Sequence, residues 1–255
     1  MLEPTTPSGP TAADAPLDAG VATYVAVADY LQQEIATAEP GQRLPSEHEL
    51  AASHNISRVT ARAALQELER RHLVRRARGA GTFVARRIDF ALNAHSAPSW
   101  SETIRRAGGV PETKIVSVDL MRPPADVRTH LELASAAKVV RLVRLGYVDG
   151  LVAALTTTHM PASLASDLRE RVAFGGSLYQ TLQAIGCRPG RLWNSATMEV
   201  PDAEVAALLK IEGRPPIWRS EGCVIDTVTQ RKIEYGVSWS RPDVIRYRFE
   251  FGQKP

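Results

Sequence analysis

Arg58 and Arg62 stand four residues apart. On a helix that spacing puts both guanidiniums on one face. Ser57 precedes them as a capping residue, so the pair falls in the first turns, where a recognition helix meets base edges. A guanidinium forks onto guanine O6 and N7 and also binds phosphate, which makes duplex DNA the chemistry such a pair serves. A second cationic element follows at Arg78-Gly79-Ala80-Gly81. Glycine lets a backbone approach a duplex closely, and arginine supplies charge. From Arg58 to Arg87 there are nine arginines against Glu67 and Glu69, an excess of +7 within thirty residues, although the whole chain carries only +3. A local excess of this size is the electrostatic footprint of a nucleic-acid site.

These residues need particular elements beneath them. Val25, Ala28, Leu31 and Ile35 recur at three and four residues and predict an amphipathic helix that Pro40-Gly41 closes off. Ser46 and Glu49 form a capping box, which starts a second helix running to about Ser53. His54-Asn55-Ile56 is a short break, with Asn55 suited to a left-handed turn. Ser57 then caps a third helix through about Arg71, whose inward stripe is Ala61, Ala64, Leu65 and Leu68. Two helices across so short a turn have helix-turn-helix spacing. Residues 73–76 and 82–84 read as strands around the glycine-rich hairpin, which makes a wing.

The length of 255 residues suits two domains. Residues 1–20 hold almost no large apolar side chain and read as a disordered tail. Residues 21–87 read as the DNA-binding domain, 88–98 as a linker and 99–255 as a second domain. In that domain residues 116–120, 139–147, 196–200, 217–225 and 233–239 are β-rich, while 161–172, 177–185 and 202–209 look helical. Strands interrupted by helices, without a βαβ nucleotide fingerprint, predict an α+β domain with a mainly antiparallel sheet. No apolar run is long enough for a membrane span, and the N-terminus carries no secretory pattern, so a cytoplasmic protein without a membrane partner is expected. Two cysteines, Cys187 and Cys223, make no disulfide framework and read as small buried hydrophobes. The six histidines show no zinc spacing, and no P-loop, dinucleotide or nucleophile-elbow motif occurs. Neither a cofactor, a metal nor a catalytic residue is expected.

Three stretches in order carry a family resemblance: Pro40-Gly41-Gln42-Arg43-Leu44-Pro45-Ser46-Glu47, then Ser57-Arg58-Val59-Thr60-Ala61-Arg62-Ala63-Ala64-Leu65, then Gly79-Ala80-Gly81-Thr82-Phe83-Val84. Over about residues 24–87 the chain resembles the winged helix-turn-helix of GntR-family regulators, mainly α with a β wing. The resemblance implies that Arg58, Arg62, Thr60 and Gly79 contact DNA. Ser57, Arg78 and His48 are further candidates for contacting DNA. Family members often carry an arginine after the Pro-Ser-Glu step; this chain has His48, and an imidazole cannot make a bidentate fork.

Shorter stretches in the second domain resemble the UTRA effector domain of the HutC subfamily, which has a chorismate-lyase-like fold. They are Ser99-Trp100-Ser101-Glu102, residues 140–145, His159-Met160-Pro161, Gly176-Ser177-Leu178-Tyr179 and Glu234-Tyr235-Gly236-Val237-Ser238. The resemblance implies a pocket for a small anion, phosphorylated or phosphonate in some relatives, lined by Ser101, Arg144, Ser177 and Tyr179, with Glu234 as a polar partner. Relatives tend to carry a second arginine and a glutamate where this chain has Gly146 and Thr156. That departure implies a less charged or differently shaped ligand, or a contribution from Arg141.

The expected function is a ligand-responsive transcriptional regulator, a repressor bound to a palindromic operator in double-stranded DNA as a homodimer. Two alternatives stay open: a constitutive dimeric DNA binder without an effector, and a lyase-fold enzyme acting on a small acid.

Overall fold

The computed structural model of the chain describes residues 24–77, 79–92, 99–165 and 177–249. The expected tail over 1–20, the wing residue Arg78 and residues 93–98 of the expected linker lie outside the described residues. The chain divides into two compact units, one ending at Ala85 and the other beginning at Arg86. Among the described residues no helix is long and apolar enough to cross a membrane.

The first unit holds α1 (Tyr24–Ile35), α2 (Glu47–Ser53) and α3 (Arg58–Arg70), followed by the antiparallel pair β1 (Val74–Ala77) and β2 (Gly81–Val84). The Ser46 hydroxyl accepts from the Glu49 amide at 3.2 Å, and the Glu49 carboxylate accepts from the Ser46 amide at 2.7 Å. Asn55 adopts φ 49°, so the chain reverses between α2 and α3 at low cost. The Ser57 hydroxyl caps α3 through the Thr60 amide at 3.0 Å. Ala61, Ala64, Leu65 and Leu68 are buried with Leu50 of α2 and with Val27, Ala28, Leu31 and Ile35 of α1. The α1 stripe therefore contains Val27, and Val25 is exposed. Residues 42–44 add a bridge to the wing that the sequence did not predict: the Leu44 amide donates to the Thr82 carbonyl and the Val84 amide to the Gln42 carbonyl, both at 2.8 Å.

The second unit is built on a six-stranded antiparallel sheet. In chain order its strands are β4 (Pro111–Met121), β5 (Val139–Val148), β6 (Leu151–Pro161), β7 (Pro189–Glu199), β8 (Ile217–Asp226) and β9 (Lys232–Ser240). Across the sheet they run β4-β5-β6-β9-β8-β7. Among the described residues five helices accompany it: α4 (Trp100–Arg106), α5 (Ala125–His130), α6 (Ala162–Ala165), α7 (Leu178–Ala184) and α8 (Ala203–Leu208). Leu178 and Leu182 of α7 pack on Val140, Leu142 and Met160. Val205 of α8 and the adjoining Leu209 pack on Val143, Leu155 and Ile217. Side chains alternate along β5, so these two helices cover opposite faces of the sheet. Both cysteines are free and buried.

Three expectations change. Residues 88–92 of the expected linker form β3 (Ile88–Leu92), which pairs in parallel with β10 (Ile245–Phe249). Ile88 and Ile245 are fully buried there, and Arg246 donates to both Asp89 oxygens at 2.6 and 2.9 Å. The partner strand lies 157 residues away, so no local pattern announces the pairing. β6 has no expected counterpart: its sequence does not alternate, with residues 151–155 apolar and 156–158 all threonine, and the strand is central and largely buried on both sides. β7 begins at Pro189, seven residues before the expected 196. Of the helix expected over 161–172, α6 is the described part, and residues 166–172 lie outside the described residues.

Asp226 ties the β8–β9 turn to the start of β7. Its carboxylate accepts from the Thr229 hydroxyl at 2.6 Å, the Arg188 amide at 3.0 Å and the Val228 amide at 3.3 Å. These bonds, led by the Thr229 hydroxyl, hold the carboxyl at about 2. A depressed folded value contributes stability above the ordinary carboxylate range of about 4, and that contribution fades as pH falls toward the folded value. Asp226→Asn should therefore lower the thermal midpoint at pH 7. The gap to the parent should narrow between about pH 4 and pH 2. A gap that stays constant with pH in scanning calorimetry contradicts this role.

Candidate functional site

Two surfaces matter, one in each unit. In the first unit, α3 turns Ala61, Ala64 and Leu65 inward and leaves Arg58 and Arg62 exposed. Arg58 Nη2 donates to His48 Nδ1 of α2 at 3.0 Å. Arg62 Nε donates to Glu47 Oε2 at 3.0 Å, and Arg76 of β1 lies 3.5 Å from the other Glu47 oxygen. Arg58 and Arg62 are thus both held by residues at the start of α2. Ser57 and Thr60 are committed to the cap, with their hydroxyls 2.9 Å apart. Gly79 adopts φ +76° at the exposed wing tip, with open space where a Cβ would stand. The left-handed backbone explains glycine there. Val59, 78% exposed on the same helix turn, was not singled out by the sequence. An apolar side chain there matches the thymine methyl group.

In the second unit a cavity of about 150 Å³, partly open to solvent, lies over one face of the sheet. Ser101, Arg144, Ser177, Tyr179 and Glu234 all line it, as does Thr156. Ser101 comes from the first turn of α4, and Ser177 caps α7 through the Gln180 amide at 3.4 Å. Strand register aligns Arg144, Thr156, Ser238 and Ser220 in one row across β5, β6, β9 and β8. Alternation then puts Glu234 on the same face as Ser238.

Arg141 does not join them. It is an odd number of residues from Arg144, on the opposite face of β5, where its guanidinium lies 3.5 Å from Asp119 of β4. The expected compensation by Arg141 is corrected on this ground. A second cation does line the cavity, and it is Arg191 of β7. Gly146 also takes on a meaning: a Cβ there would stand 2.7 and 2.8 Å from Trp100 ring atoms. The indole fills the space that a side chain at 146 would take. The sequence pointed to neither Arg191 nor Trp100. β7 carries a register shift between Arg191 and Trp193, and its alternation is broken there.

The electrostatics of the cavity are unsettled by design of its lining. Arg144 Nε, Arg191 Nε, Trp100 Nε1, Asn194 Oδ1 and Glu234 Oε2 are buried without a hydrogen-bond partner among the described residues. Burial pushes the Glu234 carboxyl up, against the pull of Arg144 and Arg191. Burial pushes the Arg144 guanidinium down, opposed by Glu234. Burial also pushes the Tyr179 phenol up, and Glu234 adds to the shift. Arginine keeps its proton regardless. The lining therefore offers forked cationic donors, a carboxylate and several hydroxyls to whatever enters.

Known proteins share this organisation. Residues 106–246 match the UTRA domain family, and residues 23–84 match "Bacterial regulatory proteins, gntR family". The HTH-type transcriptional regulator GgaR of Escherichia coli (strain K12) is 28% identical over 223 residues, covering 87% of this chain and 88% of GgaR. The HTH-type transcriptional repressor NagR of Bacillus subtilis (strain 168) is 26% identical over 198 residues, covering 76% of this chain and 80% of NagR. The crystal structure of PhnF from Mycobacterium smegmatis is 28% identical, covers 89% of this chain and 100% of the PhnF chain, and superposes with a TM-score of 0.64. With a winged helix carrying paired arginines and a sheet carrying a polar cavity, this chain belongs to the UTRA domain family and bears a gntR-family head, the HutC-like architecture of a DNA-binding transcriptional regulator with an effector domain.

Proposed function

We propose that the chain is a ligand-controlled repressor, a homodimer on a palindromic operator, whose effector is a small anion bound in the cavity of the second unit. The observation that carries this reading is the set of unpartnered buried polar atoms around that cavity, Arg144 Nε, Arg191 Nε and Glu234 Oε2 foremost. Leaving a buried polar group unpaired costs roughly 1–3 kcal/mol, and more for a charged one. A ligand that supplies partners removes that penalty. Two guanidiniums among hydroxyls favour an anion. The relative NagR is a repressor, which supports the sign of regulation.

Dimerisation follows from the scale of base readout. One bidentate arginine–guanine contact supplies only about 1–3 kcal/mol of discrimination. A single head with Arg58, Arg62 and Val59 reads too few bases to select a genomic site, and a two-fold pair of heads on a palindrome doubles the reading. Arg58, Arg62 and the Gly79 wing would meet the duplex, with His48 and Glu47 orienting the two guanidiniums. The effector biases DNA binding only as far as its affinity differs between the DNA-competent and DNA-incompetent states.

Two measurements test the two halves separately. Arg58→Ala should weaken binding to an operator selected from random duplexes by about 1–3 kcal/mol, read by fluorescence anisotropy. Equal binding by parent and variant would remove Arg58 from the recognition surface. For the cavity, small anions are screened by thermal unfolding, since a ligand at a hundred times its dissociation constant stabilises by about 2.7 kcal/mol. Arg144→Ala should abolish the shift given by the best anion and leave ligand-free operator binding intact. A variant that still shifts, or that loses operator binding together with its fold, contradicts the assignment of Arg144 to the effector.

A further inference from the structure

We infer that the cavity selects a monoanionic sugar acid, a sugar ring bearing one carboxylate, over both the neutral sugar and its phosphate ester. This rests on reading the cavity as the effector site.

Charge balance carries the inference. Arg144 and Arg191 bring two guanidiniums to the lining, and Glu234, 8% exposed, brings one carboxylate. Glu221 also borders the cavity, but its carboxylate is answered elsewhere, by Arg219 at 2.9 Å and by the Tyr235 hydroxyl at 3.2 Å. With Glu234 ionised beside the two guanidiniums, which favour its charged form, the lining formed by the described residues is left one positive charge in excess. An unanswered buried charge is costly in either sign. A ligand of charge −1 completes the set. A phosphate dianion overshoots it and sets negative charge against Glu234, while a neutral sugar leaves the excess unanswered.

The uncharged part of the lining describes the rest of the ligand. Thr156 and Ser238 hydroxyls are 3.0 Å apart, the Tyr247 hydroxyl donates to Ser220 at 2.9 Å, and Ser240 lies 3.2 Å from Tyr247. Each of these hydroxyls can donate or accept, so the group can re-pair with a ligand that carries several hydroxyls of its own. Trp100 is seated against Gly146, where no side chain can stand, and its Nε1–H is buried without a partner among the described residues. An indole presents an electron-rich face to the C–H face of a sugar ring and an N–H to a ring hydroxyl. The wall beside Arg144 is thus aromatic, and among the described residues the cationic charge of the lining comes from Arg144 and Arg191.

The test uses ligands that differ only at C6: glucose, glucuronate and glucose 6-phosphate, with the galactose series as a second set. At neutral pH these carry no charge, one negative charge and close to two. They are titrated calorimetrically into the full purified chain. The expected result is that a uronate binds at least about tenfold more tightly than its sugar and its phosphate ester, a gap of 1.4 kcal/mol or more. Glu234→Gln adds one net positive charge and should move the preference toward the phosphate ester by about tenfold or more. Trp100→Ala should weaken the uronate. The ranking on the parent protein decides the inference even if a variant fails to fold. A phosphate ester that binds more tightly than its uronate overturns the inference and leaves the effector site standing. No binding by any of the six overturns it as well, and the anion screen with Arg144→Ala then decides separately whether the cavity holds an effector. A uronate preference unchanged in a folded Glu234→Gln overturns the charge argument.

Discussion

The pairing of β6 with β5 on one side and β9 on the other is the constraint on which the second unit depends. It aligns Arg144, Thr156 and Ser238 in one row, and β8 continues the row with Ser220. A slip of one residue would send that row to the opposite face, because side chains alternate with a period of two. What prevents the slip is the apolar half of the same strands. Val143 and Leu155 bury themselves with Val205 and Leu209 on the face that α8 covers. Burying a side chain of that size contributes about 1.5–3 kcal/mol, so a slipped register forfeits several such terms at once. Stability and binding therefore divide by parity along each strand: Val143 anchors, and the adjacent Arg144 opens to the cavity.

The first unit applies the same division to a helix. Ala61 and Ala64 are small enough for α3 to sit close to α1, and Arg58 and Arg62 stand on the far side. His48 and Glu47 hold these guanidiniums from the start of α2. A long side chain that is already oriented loses less rotamer freedom on binding. Glu47 also pairs with both Arg62 and Arg76, so its one carboxylate offsets part of the positive charge on this surface. His48, which stands where relatives often carry an arginine, thus has a place in the site as an acceptor for Arg58 in addition to any contact of its own.

The parts legible in the sequence are those whose signals are local. The Ser46–Glu49 box, the Asn55 turn, the Ser57 cap and the Gly79 hairpin each span a few residues, and each forms as read. β5, β8 and β9 were also readable, from their β-rich runs. β6 was not, since a strand buried on both faces loses its alternation. Nor were β3 and β10, which recognise each other only once the chain has closed. Resemblance brought Ser101, Arg144, Ser177, Tyr179 and Glu234 to attention, and one cavity gathers them. Arg141 failed on parity, which the strand boundaries alone could have revealed. Arg191 and Trp100 carry no local mark, because the first depends on the irregular register of β7 and the second on the missing side chain at Gly146.

The fit of Trp100 against Gly146 has a bearing on how such a cavity can change through descent. Any residue larger than glycine at 146 collides with the indole, and loss of the indole alone leaves a hollow beside Arg144. Neither position can be exchanged freely while the other keeps its present occupant. A lineage that acquires a side chain at 146 must pass through a crowded or an emptied intermediate, or alter both sites together. The two positions should therefore covary among regulators of this architecture, and ligand preference should switch between discrete types rather than drift by degrees.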